Sequence, residues 1–274
     1  MMRIILSRKG FDSSFGGCPS PLLDGSPLSL PIPTRQPTLT KYENLRQPIP
    51  GLVSDLTRGR LTGEHNCHLD PDLDPLVLPT RAPGWRGALG QVAQAQKHLS
   101  NQGVGPGDLF LFWGLFRPVR RQHGVWRYFG KPVHSVFGWL QVQEAIPNPG
   151  GGPLAYHPWL SQHPHTQQGW GDQNTIYIAH EALTGPFGGT SPGYGLFRTA
   201  FQLTAPDAPS PSIWEVPEWL HPLSAGTGMT YHPPSRWLEG RRLRSAARGQ
   251  EFVANVSLRP DALEWAIWLI DAHR

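Results

Sequence analysis

His68-x-Asp70, with His163-x-His165 further along the chain, carries the residue types of a two-histidine, one-carboxylate metal site. The same polar stretch, EHNCHLDPDLDP, also holds His65, Cys67, Asp72 and Asp74. Imidazole and carboxylate donors suit iron(II) or zinc, so the residues leave the cofactor open, with a divalent Fe or Zn ion as one candidate and His68, Asp70, His163 and His165 as its candidate ligands. Without an ion, His68 and Asp70 remain candidate catalytic residues for acid–base work. A competing reading is structural: Pro71 and Pro75 stiffen this turn, and aspartates in such turns bond backbone amides. Cys67 supplies one thiolate, too few for a structural zinc site by itself.

Two further groups of side chains suit an anionic partner. Ser7-Arg8-Lys9-Gly10-Phe11-Asp12 opens a loop directly after an apolar run, a common position for functional loops. There Arg8 and Lys9 can take a phosphate, and Asp12 can act as a base or bond a nucleobase edge. In RWLEGRRLRSAARGQEF, Arg241, Arg244 and Arg248 stand at i, i+3 and i+7, so a helix would align them toward phosphates. A solvated helix face is the plain alternative.

The elements that must position these groups are short. Residues 2–6 read as a buried strand. Helical spacing of Leu89, Val92, Ala93 and Leu99 predicts a helix over 87–101. The run LFLFWGLF reads as a strand buried on both faces. A loop follows with Arg117, Arg120, Arg121, Arg127 and Lys131 among Trp126, Tyr128 and Phe129; strands are then expected over 133–142, 174–179 and 196–204. The basic segment 236–249 and the amphipathic segment 261–272 predict C-terminal helices. The pattern GVGPGDLFLFWG, basic-aromatic loop, VFGWLQV resembles the PUA-like superfamily (EVE and ASCH domains), which implies a base-holding barrel over about 104–205. The expected fold is α+β: one loop-rich domain, residues 1–274, around a curved, mostly antiparallel sheet.

Composition agrees with that class. The 274 residues include 31 glycines and 30 prolines, which interrupt helical patterns too often for a helix bundle. Eleven Trp, eleven Phe and six Tyr supply the apolar faces that disordered chains lack. Net charge is +4, too small to argue for a nucleic-acid partner without knowing where the charges lie. The basic side is nearly all arginine, whose guanidinium forks suit phosphates and guanine edges. Two cysteines give no disulfide framework. No run is long and apolar enough to span a bilayer, and MMRIILSRKGFDSS lacks the apolar stretch of a signal peptide, so a cytoplasmic protein without a membrane partner is expected.

The blocks IILSRKGFDSSFGGCPSP, SLPIP, CHLDPDL, GQ…AQ…HLSNQGVGPGDLFLFWGLFR, HPH and ARGQEFV, in this order over almost the whole chain, resemble the nucleotide modification associated domain 3 family. The resemblance implies a role beside enzymes that modify bases in DNA, in bacterial and phage neighbourhoods that include restriction–modification and phage defence. It makes candidates of Arg8, Lys9, Asp12, His68, Asp70, Asp108, His163, His165, Arg248, Gln250 and Glu251. The leading expectation is an enzyme or accessory protein acting on a nucleobase in DNA, alone or with other modification or restriction proteins. In that reading Arg241, Arg244 and Arg248 hold phosphates, Trp113 or Trp139 stacks on a flipped base, and Asp108 and Gln250 line its pocket. The alternatives are a non-catalytic reader of modified bases and an Fe(II)-dependent oxygenase with a His/Asp/His site.

Overall fold

The structure is a computed structural model that describes residues 1–36, 38–221 and 228–274. Its first half contains strands β1 (Arg3–Arg8), β2 (Ser20–Leu23), β3 (Ser26–Pro27) and β4 (Ile32–Pro33). Helix α1 (Ile49–Leu56), strands β5 (Cys67–His68) and β6 (Ala88–Val92) and helix α2 (Ala93–Asn101) follow. The long strand β7 (Leu109–Gln122) then leads through β8 (Val125–Tyr128) to a second long strand, β9 (Val133–Pro147). The remainder comprises β10 (Asn174–Ala179), β11 (Tyr194–Gln202), β12 (Ile213–Glu215), β13 (Trp237–Leu238), β14 (Arg242–Arg244), β15 (Glu251–Asn255) and α3 (Pro260–His273).

Among the described residues ten strands share one mixed sheet with the central path β15-β1-β7-β9-β10-β6. β1 runs parallel to β7 and antiparallel to β15, so the two ends of the chain meet beside its most apolar strand. The period-2 rule explains how β1 and β7 are buried on both faces. Ile4, Leu6, Leu109, Leu111 and Trp113 pack on one face, with Ala262, Ala266, Leu269 and Ile270 of α3. Ile5, Phe110 and Phe112 pack on the other, with Leu99 of α2 and Phe137 and Leu140 of β9. A register shift opposite Phe112 and Trp113 places Val136 and Trp139 on one face despite their odd spacing. A third cluster, built on α1, Phe11, Tyr42 and Cys67, supports the loops that lead to the site.

The structure is α+β with a curved, mostly antiparallel sheet, as expected, but the sheet does not close into the PUA-like barrel. β7 and β9 instead change partners along their length: β7 pairs with β1 and β2 and then β8, and β9 with β7, β10 and β11. The expected helix over 87–101 is a strand for its first half, because residues 88–92 pair with β10; a left-handed Ala93 (φ 52°) marks the switch to α2. The basic segment 236–249 is likewise no helix. Left-handed Gly240 (φ 72°) and Arg241 (φ 61°) turn it back, and β13 pairs with β14. Only α3 represents the expected C-terminal helices among the described residues. The arginine-rich stretch after residue 116 is a β7–β8 hairpin, not a loop. No described helix is long and apolar enough to cross a membrane.

Phe110 is fully buried, 6.0 Å from the Phe112 ring and 5.3 Å from Tyr177. Phe110→Ala is expected to cost about 3–5 kcal/mol, read as a lower denaturation midpoint at unchanged m-value. A loss below about 1 kcal/mol would contradict this packing.

Candidate functional site

Five segments far apart in sequence meet beside the end of β1. Ser7 on β1 is in register with Glu251 on β15, which brings the loop after β1 to the start of the last strand. Lys9 N–H bonds Trp113 O at 2.8 Å, and Gly114 permits this approach, since a side-chain carbon there would lie 2.6 Å from Lys9 O. β5 carries His68, the following turn Asp70, β6 Gly90 and Gln91, and the turn at 164–166 carries His165. Gly90 is required by packing, because a Cβ at that position would overlap the His165 imidazole.

His68 Nε2 and His165 Nε2 are 3.2 Å apart, and His68 Nε2 is 4.0 Å from Asp70 Oδ2. Donor atoms of His68, Asp70 and His165 all lie within 4.8 Å of one another, close enough to share one cation. The His165 tautomer follows from its neighbours. Asn174 uses its amide N–H groups on Asn148 O (2.8 Å) and His165 O (3.0 Å). Its Oδ1 therefore accepts from His165 Nδ1 at 2.7 Å. That leaves the His165 Nε2 lone pair facing His68, the tautomer a metal ligand needs. Two nitrogens bound to one ion at about 2.0–2.1 Å would stand roughly 3.0–3.4 Å apart, the spacing seen here.

His163 plays a different part. Its Nδ1 accepts from His165 N–H at 3.3 Å, so its proton is on Nε2, which faces Asp70 Oδ1 at 3.4 Å. It stands behind the carboxylate and orients it. Asp70 Oδ1 also accepts from Gly90 N–H at 2.6 Å, and Lys9 Nζ lies 3.6 Å from Oδ2. Burial acts to raise the Asp70 carboxyl, but Lys9, His163 and His165 together outweigh it and hold it well below the usual carboxylate range. Burial first, against the attraction of Asp70, lowers His68 to about 4 and His165 to about 3, so both rings are neutral at pH 7.

On the far side of Lys9, Glu251 Oε1 is 3.7 Å from Nζ and accepts from Ser7 Oγ at 3.0 Å and Gln91 Nε2 at 2.5 Å. Burial pushes the Glu251 carboxyl up against these partners, so the two acids on either side of Lys9 are driven in opposite directions. A cavity of about 400 Å³ opens over His68, Asp70 and His165. Its wall includes Arg8, Lys9, Asp12, Phe15, Arg35, Gln91, Trp170 and Gln250. Trp170 stacks on His165 with ring centres 4.5 Å apart and planes 2° from parallel.

Several expected site residues have other duties. Asp12 lines the cavity but is committed to closing its loop, pairing with Arg8 and accepting from Ser14 and Phe15 N–H at 2.7 and 2.8 Å. Trp113 and Trp139 are 1% and 2% exposed and do not line the cavity: Trp113 packs among Trp214, Phe252 and His134, and Trp139 against Phe197. Asp108 is 1% exposed and binds Arg3 and Gly105 N–H, closing the turn before β7. Arg241 pairs with Glu215 and Glu218, while Arg244 lies on β14 and Arg248 in the exposed approach to β15, so the three form no helical row. Asp72 is held by Arg81 and Asp74 by Arg46, and burial pushes the Cys67 thiol up to about 12, which removes it as a thiolate ligand.

Sequence reasoning passed over Trp170, Asn174, Gly90 and Gln91. Trp170 follows HPH by five positions, the one local signal available. Gly90 and Gln91 form the GQ of a family-like block without being singled out, and their role, like that of Asn174, is recognisable only once β6 and β10 pair.

The fold and site thus define an α+β protein with a half-enclosed cavity over a His/Asp/His cluster. The sequence model of the nucleotide modification associated domain 3 family (Nmad3) matches residues 3–255, and the chain belongs to that family. The family name connects it with nucleotide modification. No curated protein and no solved structure matches the chain.

His68 and His165 bind protons in the unfolded chain below about pH 6.5 and in the folded protein only near about 4 and 3. The unfolded state therefore takes up more protons in that interval, so folding stability falls as pH drops from about 6.5 toward 4, by roughly 1.4 kcal/mol per histidine per pH unit. Because burial pushes the Glu251 carboxyl up and so acts in the opposite direction, the test is the difference in denaturant midpoint between the parent and His68→Gln/His165→Gln across this window. A difference that does not change with pH would contradict the burial.

Proposed function

We propose that this chain is a metal-dependent enzyme that modifies a nucleobase in DNA, with a divalent ion held by His68 Nε2, Asp70 and His165 Nε2. The observation that carries the reading is the tautomer of His165: Asn174 Oδ1 accepts the Nδ1–H hydrogen bond, which keeps the proton on Nδ1 and turns the Nε2 lone pair toward His68 in a cavity of about 400 Å³. The family's description, nucleotide modification, supports a nucleotide as the substrate. Two neutral imidazoles and one carboxylate match the donors of iron(II) and zinc enzymes, and leave positions on the ion for water or substrate.

The remaining residues support that role. His163 and Gly90 N–H fix the Asp70 carboxylate, and Lys9 keeps it ionised. Glu251 and Gln91 hold one another and, with Asp70, keep Lys9 at the cavity wall. Trp170, stacked on His165, and Phe15, 41% exposed at the cavity wall, offer aromatic surface to a base. Arg8 and Arg35 offer charge to a phosphate.

Metal analysis of the purified protein, after reconstitution with Fe(II) or Zn(II), is expected to give one ion per chain, lost in His68→Ala and in His165→Ala. Asn174→Ala is expected to weaken metal affinity by about 10–100-fold, because the ring it orients is released. In cells, a modified nucleoside found by mass spectrometry of DNA should vanish on deletion of the gene and in Asp70→Ala. A protein that takes up neither metal overturns the metal site. An unchanged nucleoside profile on deletion overturns the enzyme reading and favours a reader of modified bases.

A further inference from the structure

The hairpin β7–β8 concentrates positive charge without compensation. From Arg117 to Lys131 the chain has five cations and no carboxylate. Among the described residues none of these five forms an ion pair, whereas Arg3, Arg8, Arg46, Arg81, Arg241 and Arg242 all do. Three of the heads rest on rings instead. Arg117 lies over Tyr128 at 5.3 Å, Arg120 over Phe129 at 5.4 Å and Arg121 over Trp126 at 5.0 Å. Such stacking holds a guanidinium in place while leaving its charge available.

The register adds an independent observation. Arg120 pairs directly with Arg127 across the two strands, both exposed. Like charges at opposed positions destabilise a hairpin, so this pair opposes folding, and a bound anion would offset it. The hairpin is nevertheless well anchored. Its other face, Val119, Trp126 and Tyr128, packs on the α1 cluster; Trp126 N–H bonds Asp55 Oδ2 at 2.8 Å, and Tyr128 Oη donates to Pro19 O. Pro19 ends the loop whose Ser14 and Phe15 line the cavity. Arg60 bonds Gly16 O in that same loop at 3.3 Å.

We propose that the β7–β8 hairpin is the surface that grips the DNA phosphate backbone, with Arg120 and Arg127 astride it, next to the loop at the cavity wall. The choice of DNA rests on the function proposed above. The charge pattern suits it: a two-stranded ribbon of exposed guanidiniums fits a polyanion and binds with release of counterions. The hairpin takes the part that the sequence assigns to Arg241, Arg244 and Arg248.

Fluorescence anisotropy of a labelled duplex and a labelled single strand, over a series of salt concentrations, tests this on the full chain. Arg120→Gln/Arg127→Gln is expected to weaken binding about tenfold or more and to reduce the salt slope by about two. It should melt no lower than the parent, since it removes a repulsion. Arg244→Gln/Arg248→Gln should leave both quantities unchanged. Unchanged affinity and slope in the hairpin variant, or binding to phosphatidylserine vesicles in place of DNA, would overturn the proposal. Because His68→Ala is expected to lose metal and keep DNA binding, failure of the hairpin proposal and failure of the metal reading produce different results.

Discussion

The ammonium of Lys9 stands between two buried carboxylates, at 3.6 Å from Asp70 and 3.7 Å from Glu251, and the architecture of the site depends on that arrangement. Removing one member of a buried ionic group costs about 3–5 kcal/mol, because the remaining charge is stranded away from water. The three residues come from the first strand edge, the turn after β5 and the last strand, so one electrostatic contact ties both ends of the chain to its middle. Two carboxylates against one ammonium also leave negative charge in excess. A raised Glu251 relieves part of it, and the proposed cation at His68, Asp70 and His165 would relieve the rest.

The sheet places this group where it can act. β1 is enclosed between β7 and β15 along most of its length, and both of its faces are apolar until Ser7. There the pattern changes from Ile and Leu to Ser, Arg and Lys, and the chain leaves the core at the cavity wall. Other strands bring polar residues to the same site: Gln91 from β6, Glu251 from the adjacent β15 and Asn174 from β10. Asn174 sets the tautomer of His165, and burial keeps His68 and His165 neutral.

Much of this was legible in the chain. Strands read at 2–6, 109–116, 133–142, 174–179 and 196–204 from apolar runs overlap β1, β7, β9, β10 and β11, and α3 follows from its amphipathic spacing. His68, Asp70 and His165 are recognisable as donors by type, and Arg8, Lys9 and Gln250 as cavity residues from their place in family-like blocks. Local spacing misled where long-range pairing competed with it. Residues 88–92 have a helical pattern yet become a strand, since β10 offers them backbone partners. The arginines after 240 have helical spacing, but a left-handed glycine turns the chain back before a helix can form.

The sequence by itself determined the class of the fold, the family and the inventory of metal-capable and basic side chains, because these depend on residue type and short-range periodicity. The tertiary structure alone decided which of them work together. It set His163 behind Asp70 while His165 faces His68, buried Trp113 and Trp139 in the core while Trp170 meets the cavity, and brought Arg120 opposite Arg127. Each of these outcomes turns on distances of a few ångströms between segments far apart in the chain, as with Ser7 and Glu251, 244 residues apart and in contact through strand pairing. Strand pairing is a non-local interaction, and its register is set by the packed core on both faces of the sheet rather than by neighbours along the chain.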